Sequence, residues 1–238
     1  GLTPFQHTKY QEALSGLLEL GDGDERETTQ LTALIYCQEI VNHPSLISFP
    51  NYSSEKLDAL VNMVTEGGDL HDEKVIVFTR FKEMVNTAMP VLEKAKIKCV
   101  RVTGDEDEGQ RKAAMDAFQN PDDPTRVIFI TMAGGDAINL QAAKAIVFYD
   151  SPWSAGDYLQ IVGRMIRIGS DHDTCYAIHL VCRDTIDERV MEVIRKKMRL
   201  IEQVLGERVK GTTESDVVYN AGSEVRDIFD ALVQDARQ

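Results

Sequence analysis

Five short apolar segments alternate with helical segments in the middle of this chain, and this alternation constrains the fold more than any other feature. The strand candidates are rich in β-branched residues, and most are apolar on both faces: 75–78, 99–102, 127–130, 145–149 and 177–181. The helical segments between and after them lie near 81–95, 106–118, 155–167 and 185–205. Strands that are apolar on both faces need a helical layer on each side. The sequence therefore predicts an α/β domain in which helices cover both faces of a parallel sheet.

A helical segment is predicted before this domain, and a short appendage after it. Leu14, Leu17 and Leu18 are spaced as one stripe of a first helix, which Gly21 and the acidic residues after it are expected to end. Two further helices are predicted, one before Pro44 and one that Ser54 would cap. The predicted divisions are a helical lead-in over 1–70, the α/β domain over 71–205, and a linker with a final amphipathic helix over 206–238. Within the domain, Pro90 is expected to kink or end its helix.

The charge distribution leaves a nucleic-acid partner open. The formal net charge of −13 argues against a polyanionic partner at first. However, residues 71–211 carry 21 basic and 22 acidic side chains, and the acidic excess lies at the two ends. A basic strip could therefore exist in the α/β domain.

Membrane, secretory and metal-binding classes are disfavoured. No apolar run approaches the roughly 18 residues of a membrane span, and the first residues lack the pattern of a signal peptide. The four cysteines form no Cys-x-x-Cys pair, which favours reduced thiols in a cytoplasmic protein. The five histidines show no paired ligand spacing, so no metal site is expected.

A glycine-containing loop follows the third strand candidate, where ligands of parallel sheets gather. Gly134 and Gly135 would let backbone amides approach a phosphate, and Asn139 could bond a ligand or cap the next turn. The alternative is a tight strand-to-helix turn without a ligand. After the fourth strand come Asp150 and Trp153, and a packed aromatic ring is the simplest interpretation of this tryptophan.

Two arginines three residues apart, Arg164 and Arg167, follow Gln160 in the helix after that loop. At this spacing both guanidinium groups project from one face of a helix. The planar fork of arginine suits phosphate oxygens and stays charged at any working pH. An anion site and a set of structural salt bridges both remain open for the pair on its own.

Taken in order, these segments resemble the second RecA-like lobe of the Swi/Snf-like branch of superfamily-two helicases and translocases. The matching stretches are the strand ending in Thr79-Arg80-Phe81, Val102-Thr103-Gly104 with Arg111, Thr131–Leu140, Asp150–Trp153 and Gln160–Gly169. Upstream, Asn42-His43-Pro44 and the residues around it resemble the helical protrusion of the same family. Gly163 and Ile166 stand where this branch usually has Asp and His, and Asp136-Ala137 and Ser170 depart from it as well.

The resemblance implies a RecA-like fold of the P-loop NTPase type and a set of site residues. Gln160, Arg164 and Arg167 would be catalytic, acting on ATP across a cleft between two lobes. Gly134, Gly135 and Asn139 would join the two arginines in holding the nucleotide. The residues implied to contact DNA, mostly at phosphate and sugar, are Arg80, Thr103, Gly104, Thr131 and Trp153.

The sequence contains neither a Gly-x-x-x-x-Gly-Lys-Ser/Thr loop nor an Asp-Glu-x-His box. In the family both lie on the first lobe, so ATP and Mg²⁺ would be held mainly there. We therefore expect the C-terminal lobe of a DNA-dependent ATPase, with an N-terminal lobe and duplex DNA as partners and no activity from this lobe alone. Location in a prokaryotic or phage-infected cytoplasm is favoured over a nucleus. The alternatives are a non-catalytic nucleic-acid-binding or scaffold lobe, and an RNA helicase lobe.

Overall fold

The computed structural model describes residues 1–21, 25–27, 30–134, 140–163 and 175–208. Its helices are α1 (Pro4–Ser15), α2 (Gln30–Asn42), α3 (Glu55–Val64), α4 (Lys82–Lys94), α5 (Glu108–Gln119), α6 (Ala155–Val162) and α7 (Ile186–Arg208). A 3-10 turn covers Pro44–Ile47. Its strands are β1 (Leu17–Glu19), β2 (Glu25–Glu27), β3 (Val75–Phe78), β4 (Lys98–Val102), β5 (Thr125–Ile130), β6 (Ala145–Phe148) and β7 (Tyr176–His179).

The five later strands form one parallel sheet in the order β4-β5-β3-β6-β7. After β3 the chain crosses to β4 on one side, whereas after β6 it continues to β7 on the other side. The carboxyl ends of β3 and β6 therefore flank a topological switch point, the place where open α/β sheets usually bind ligands. The predicted parallel α/β fold is confirmed, and all five predicted strands are present.

Apolar side chains on both faces of the sheet explain why helices cover both faces. In the central strand β3, Val75 and Val77 pack into a core with α3 and α4, and Ile76 and Phe78 pack into a core that includes Phe118 of α5 and Ile161 of α6. All four β3 side chains are fully buried. Alternating side chains therefore serve opposite layers, as the period of two along a strand requires.

A third core joins the two ends of the described chain. Tyr10 and Ala13 of α1, Leu34 and Ile40 of α2, and Ile186 at the start of α7 are among its buried members. The Tyr10 hydroxyl accepts a hydrogen bond from the Ile186 backbone amide at 2.8 Å. The helical lead-in is therefore packed on α7.

One local prediction was wrong, and a helix end, one of the two outcomes expected at Pro90, is not observed. Leu17 and Leu18 lie in β1, because Gly16 ends α1 in the left-handed conformation (φ 90°), and β1 then pairs with β2 in an antiparallel hairpin. Helix α4 also does not end at Pro90. Pro90 lies on its exposed face, and burial of Met84, Val85, Ala88 and Leu92 on the other face holds the helix across it.

Ser54 does precede α3, but its hydroxyl donates to the Asn42 carbonyl at 2.6 Å and makes no cap bond. Helix α7 continues to Arg208, past the predicted start of the linker. The rest of that linker and the final amphipathic helix lie outside the described residues. Among the residues that are described, no helix is both long enough and apolar enough to span a membrane.

Candidate nucleic-acid and nucleotide site

A buried carboxylate, Asp150, lies at the switch point between β3 and β6. Its Oδ1 accepts the Arg80 backbone amide at 2.9 Å. Its Oδ2 accepts the Asn42 side-chain amide at 2.9 Å and the Thr79 hydroxyl. One side chain thus connects the end of β3, the end of β6 and the last turn of α2.

Asp150 is 1 % exposed, and burial raises the pKa of its carboxyl, against which the Thr79 hydroxyl and the nearby Lys56 ammonium act. The Lys56 Nζ donates to Asn42 Oδ1 at 3.1 Å and lies 2.8 Å from Asp187 Oδ2. Asp187 also accepts the Cys182 amide at 3.0 Å. The polar groups of this interior are therefore bonded to one another, as buried charges require.

Arg80 and Trp153 form a stacked pair beside this network. The Arg80 Cζ lies 4.1 Å from the centre of the Trp153 ring. Gln38 of α2 accepts hydrogen bonds from both side chains through Oε1, from Arg80 Nη1 at 2.6 Å and from Trp153 Nε1 at 3.0 Å. Burial lowers the pKa of Arg80 from its usual value, but an arginine stays protonated at any working pH.

Four of the five predicted DNA contacts line one groove at the carboxyl ends of the strands. The groove has a volume of about 380 Å³, and its lining includes Arg80, Lys82, Thr103, Gly104 and Thr131. The fifth predicted residue, Trp153, lies against Arg80. The structure thus brings the five predicted residues together. Lys82 and Asp105 also line the groove and form an ion pair of 2.6 Å.

The Glu106 carboxylate accepts hydrogen bonds from backbone amides that line this groove. Glu106 Oε2 accepts the amides of Thr103 at 2.6 Å and Gly104 at 3.2 Å, and Oε1 accepts the Thr103 hydroxyl at 3.1 Å. Arg101 Nε lies 3.1 Å from the same carboxylate. Desolvation opposes ionisation of Glu106, but the hydrogen bonds from Thr103 and Gly104 outweigh it and lower the pKa.

Close backbone packing explains why residue 134, a predicted nucleotide contact, is a glycine. A Cβ atom on Gly134 would lie 2.1 Å from the Val102 carbonyl oxygen, so a side chain there would displace the end of β4. Gly104 has φ +104°, a conformation that side chains rarely adopt. Contact of Gly134 with a nucleotide stays a prediction, and the predicted nucleotide contacts Gly135 and Asn139 lie outside the described residues.

Gln160, the first predicted catalytic residue, lies with an exposed side chain in the last turn of α6. The predicted arginine pair, Arg164 and Arg167, lies outside the described residues. Among the described residues, no group of three or more His, Cys, Asp or Glu side chains is arranged to hold a metal ion.

Four residues that support the groove were not predicted from the sequence: the buried Gln38, Lys56 and Asp187, and the partly exposed Glu106. Their signal was weak, because a polar residue inside an amphipathic helix looks solvated until its partner is known. Asn42 and Asp150 were noticed only as parts of separate motifs, although a hydrogen bond joins them across 108 positions.

The comparisons with known proteins agree with this fold. Residues 55–169 match the family described as Helicase conserved C-terminal domain. An uncharacterized ATP-dependent helicase of Mycoplasma genitalium is 26% identical over 203 residues, which are 84% of this chain and 19% of that protein. The chain thus spans about a fifth of the length of this relative.

Two solved structures share the fold. The C-terminal part of the Fun30 ATPase domain has a TM-score of 0.71 at 15% identity. The match covers 98% of this chain and 95% of the Fun30 chain. The Sulfolobus solfataricus SWI2/SNF2 ATPase core in complex with dsDNA has a TM-score of 0.66 at 21% identity. The match covers 96% of this chain and 48% of the Sulfolobus chain. Residues 55–169 of this chain therefore match the helicase conserved C-terminal domain, and the described residues have the fold of a Swi2/Snf2 ATPase C-terminal lobe.

Proposed function

We propose that this chain is the C-terminal lobe of an ATP-dependent DNA translocase and supplies part of its nucleic-acid track. The observation that carries the proposal is the groove lined by Arg80, Lys82, Thr103, Gly104 and Thr131. It lies beyond the carboxyl ends of parallel strands. Arg80 and Lys82 are the cations of its lining, and Lys82 is paired at 2.6 Å with Asp105 of the same lining.

These groups suit a nucleic-acid backbone and carry no base-reading pattern. Arginine, lysine, hydroxyl and amide donors bind phosphate and sugar, which fixes register on the duplex without reading its sequence. The SWI2/SNF2 core of the same fold from Sulfolobus was solved with dsDNA, which supports duplex as the ligand. The overall charge of −13 makes binding depend on this local cluster and therefore on salt.

The second part of the proposal concerns ATP. ATP-dependent helicases among the relatives support ATP use by the whole protein. Nucleotide and Mg²⁺ would be held mainly by an N-terminal lobe, and Mg²⁺ would offset phosphate charge there. From this chain, Arg164 and Arg167 would reach the γ-phosphate oxygens, and Gln160 would help to position them.

Binding of the 238-residue chain to a fluorescein-labelled duplex, followed by anisotropy from 25 to 200 mM salt, tests the first part. Weak binding that falls with salt, and falls further in Arg80→Ala, is expected. Single-stranded and duplex RNA of the same sequence serve as competitors. Preference for RNA would favour an RNA helicase lobe, and no nucleic-acid binding at 25 mM salt would favour a scaffold.

A phosphate-release assay tests the second part. The chain alone is expected to release no phosphate from ATP with or without duplex, because its sequence has no phosphate-binding loop. Duplex-stimulated turnover by this chain alone would contradict the division of labour between two lobes.

A further inference from the structure

Gln38 does not line the groove, but it is hydrogen-bonded to Arg80, which does. Its side chain is buried in α2, and its Oε1 accepts Arg80 Nη1 at 2.6 Å and Trp153 Nε1 at 3.0 Å. Its Nε2 donates to the Ser151 carbonyl oxygen at 3.4 Å. Gln38 thus has contacts with three residues that follow β3 and β6, although it belongs to the helical lead-in.

These bonds fix the orientation of Arg80. A free arginine side chain samples many rotamers, and a ligand that immobilises it must overcome that conformational entropy. Here one face of the guanidinium lies on Trp153, with Cζ 4.1 Å from the ring centre, and Nη1 is bonded to Gln38. Arg80 therefore lines the groove in one prepared geometry.

The chemical identity of the acceptor matters as much as its position. A carboxylate at residue 38 would accept the same two N–H groups, but its charge would cancel that of Arg80 in the groove. An amide oxygen orients the guanidinium without neutralising it. The Asp150 and Asp157 carboxylates also act on Arg80 through space, and Asp150 accepts the Arg80 backbone amide at 2.9 Å.

We propose that Gln38 is a positioning residue that holds Arg80 over Trp153 as a pre-oriented cation for a nucleic-acid phosphate. The proposal rests on the proposed function of the groove. It assigns to the helical lead-in a part in nucleic-acid binding without any contact to the ligand.

Three variants of the 238-residue chain separate positioning from mere packing. Gln38→Met keeps the side-chain length and removes the acceptor, Gln38→Glu keeps the acceptor and adds a charge, and Arg80→Ala removes the cation. Gln11→Glu makes the same charge change at an exposed position of α1 and is the matched control. Circular dichroism and urea unfolding verify that each variant is folded.

Duplex affinity gives the first readout. Gln38→Met is expected to weaken binding about three- to tenfold at 50 mM salt, and to have no further effect in an Arg80→Ala background, because it acts through Arg80. Gln38→Glu is expected to weaken binding as well and to reduce the slope of log K against log salt by about one, as loss of one phosphate contact would. Gln11→Glu should leave that slope unchanged.

Fluorescence gives a second readout that needs no ligand. Trp153 is the single tryptophan of the chain, so its emission and its quenching by acrylamide report directly on its two partners. Both should change in Gln38→Met and in Arg80→Ala, and both should stay near wild type in Gln38→Glu.

Equal loss of affinity from Gln38→Met with and without Arg80 would overturn the proposal, as would wild-type binding and salt slope in Gln38→Glu. If Gln38→Met fails to fold, the salt slope of Gln38→Glu decides alone. If the wild-type chain binds no nucleic acid, the proposed function fails and the ligand part of this inference fails with it. The fluorescence of the variants then still decides whether Gln38 holds Arg80 on Trp153.

Discussion

The Lys56 ammonium and the Asp187 carboxylate form an ion pair of 2.8 Å between α3 and the first turn of α7, and both side chains are less than 10 % exposed. The pair joins residues 131 positions apart. Each partner has further bonds, Lys56 to Asn42 and Asp187 to the Cys182 amide. The helical lead-in, the α/β domain and α7 therefore meet at one bonded pair.

Breaking this pair from one side should be costly. Lys56→Met leaves the Asp187 carboxylate buried without its cation, and we expect a loss of about 3–5 kcal/mol in the free energy of unfolding. Adding Asp187→Asn, which keeps an acceptor for the Cys182 amide, should recover a large part of that loss. Urea unfolding of the single and double variants measures both values, and strictly additive losses would show that the two groups are not coupled.

Glu39 should make stability fall as pH rises through neutrality. Burial, together with the nearby Glu83 carboxylate, raises the pKa of Glu39 from its usual 4.5 to about 7. Between these values the native state binds more protons than the unfolded state, so stability is highest near pH 4.5 and decreases up to about pH 7. The shift corresponds to roughly 2–3 kcal/mol after allowance for partial exposure.

The Glu39→Gln variant isolates this contribution. The difference in unfolding free energy between Glu39→Gln and wild type should grow in favour of the variant from pH 5 to pH 8. The pH dependence of the wild-type unfolding free energy does not isolate Glu39. Burial lowers the pKa of His179 to about 4, which makes stability rise with pH between pH 4 and 6.5. A difference that stays constant with pH would contradict the assignment to Glu39.

Glu106→Gln should strengthen duplex binding, because the Glu106 carboxylate occupies the amides of Thr103 and Gly104 that a phosphate would use. Removing one negative charge from the groove is expected to raise affinity about three- to tenfold at low salt, since a charge pair in water contributes about 1 kcal/mol at 4 Å. Glu108→Gln makes the same change at an exposed position in the first turn of α5 and is the control. Equal gains in both variants would mean that only net charge matters.

Arg167→Lys should abolish ATP turnover in the two-lobed protein, while ATP and DNA binding persist within roughly tenfold, about 1.4 kcal/mol. An arginine that stabilises transition-state charge contributes about 10³–10⁵ in rate, and lysine lacks the planar fork. Phosphate release with and without duplex is the measurement, and Arg183→Lys makes the same change at an exposed position. Near-normal turnover in Arg167→Lys would favour the scaffold alternative.

The sequence predicted the sheet well, because strands such as Val75–Phe78 are apolar on both faces and leave few alternatives. It also predicted that Arg80, Thr103, Gly104 and Thr131 belong to one site. These four residues line one groove, and their contact with DNA stays a prediction. It could not predict Gln38 or Glu106 as their partners. Those bonds depend on where helices and loops pack in three dimensions, and a glutamine inside a helix or a glutamate in a loop has many possible partners.

The end of α1 was predicted wrongly for a related reason. Leu17 and Leu18 continue the apolar spacing of α1, but the left-handed conformation of Gly16 ends the helix before them. The backbone conformation of Gly16 therefore determined where α1 ends, although the apolar spacing continues beyond it.

The hydrogen bond from the Ile186 amide to the Tyr10 hydroxyl also has a consequence for synthesis on the ribosome. The two residues are 176 positions apart, so at about 5–20 residues per second Tyr10 is synthesised roughly 10 to 35 s before Ile186. During that interval the apolar face that α1 and α2 share with α7 is uncovered. The third core is completed last, although its first helix is made first.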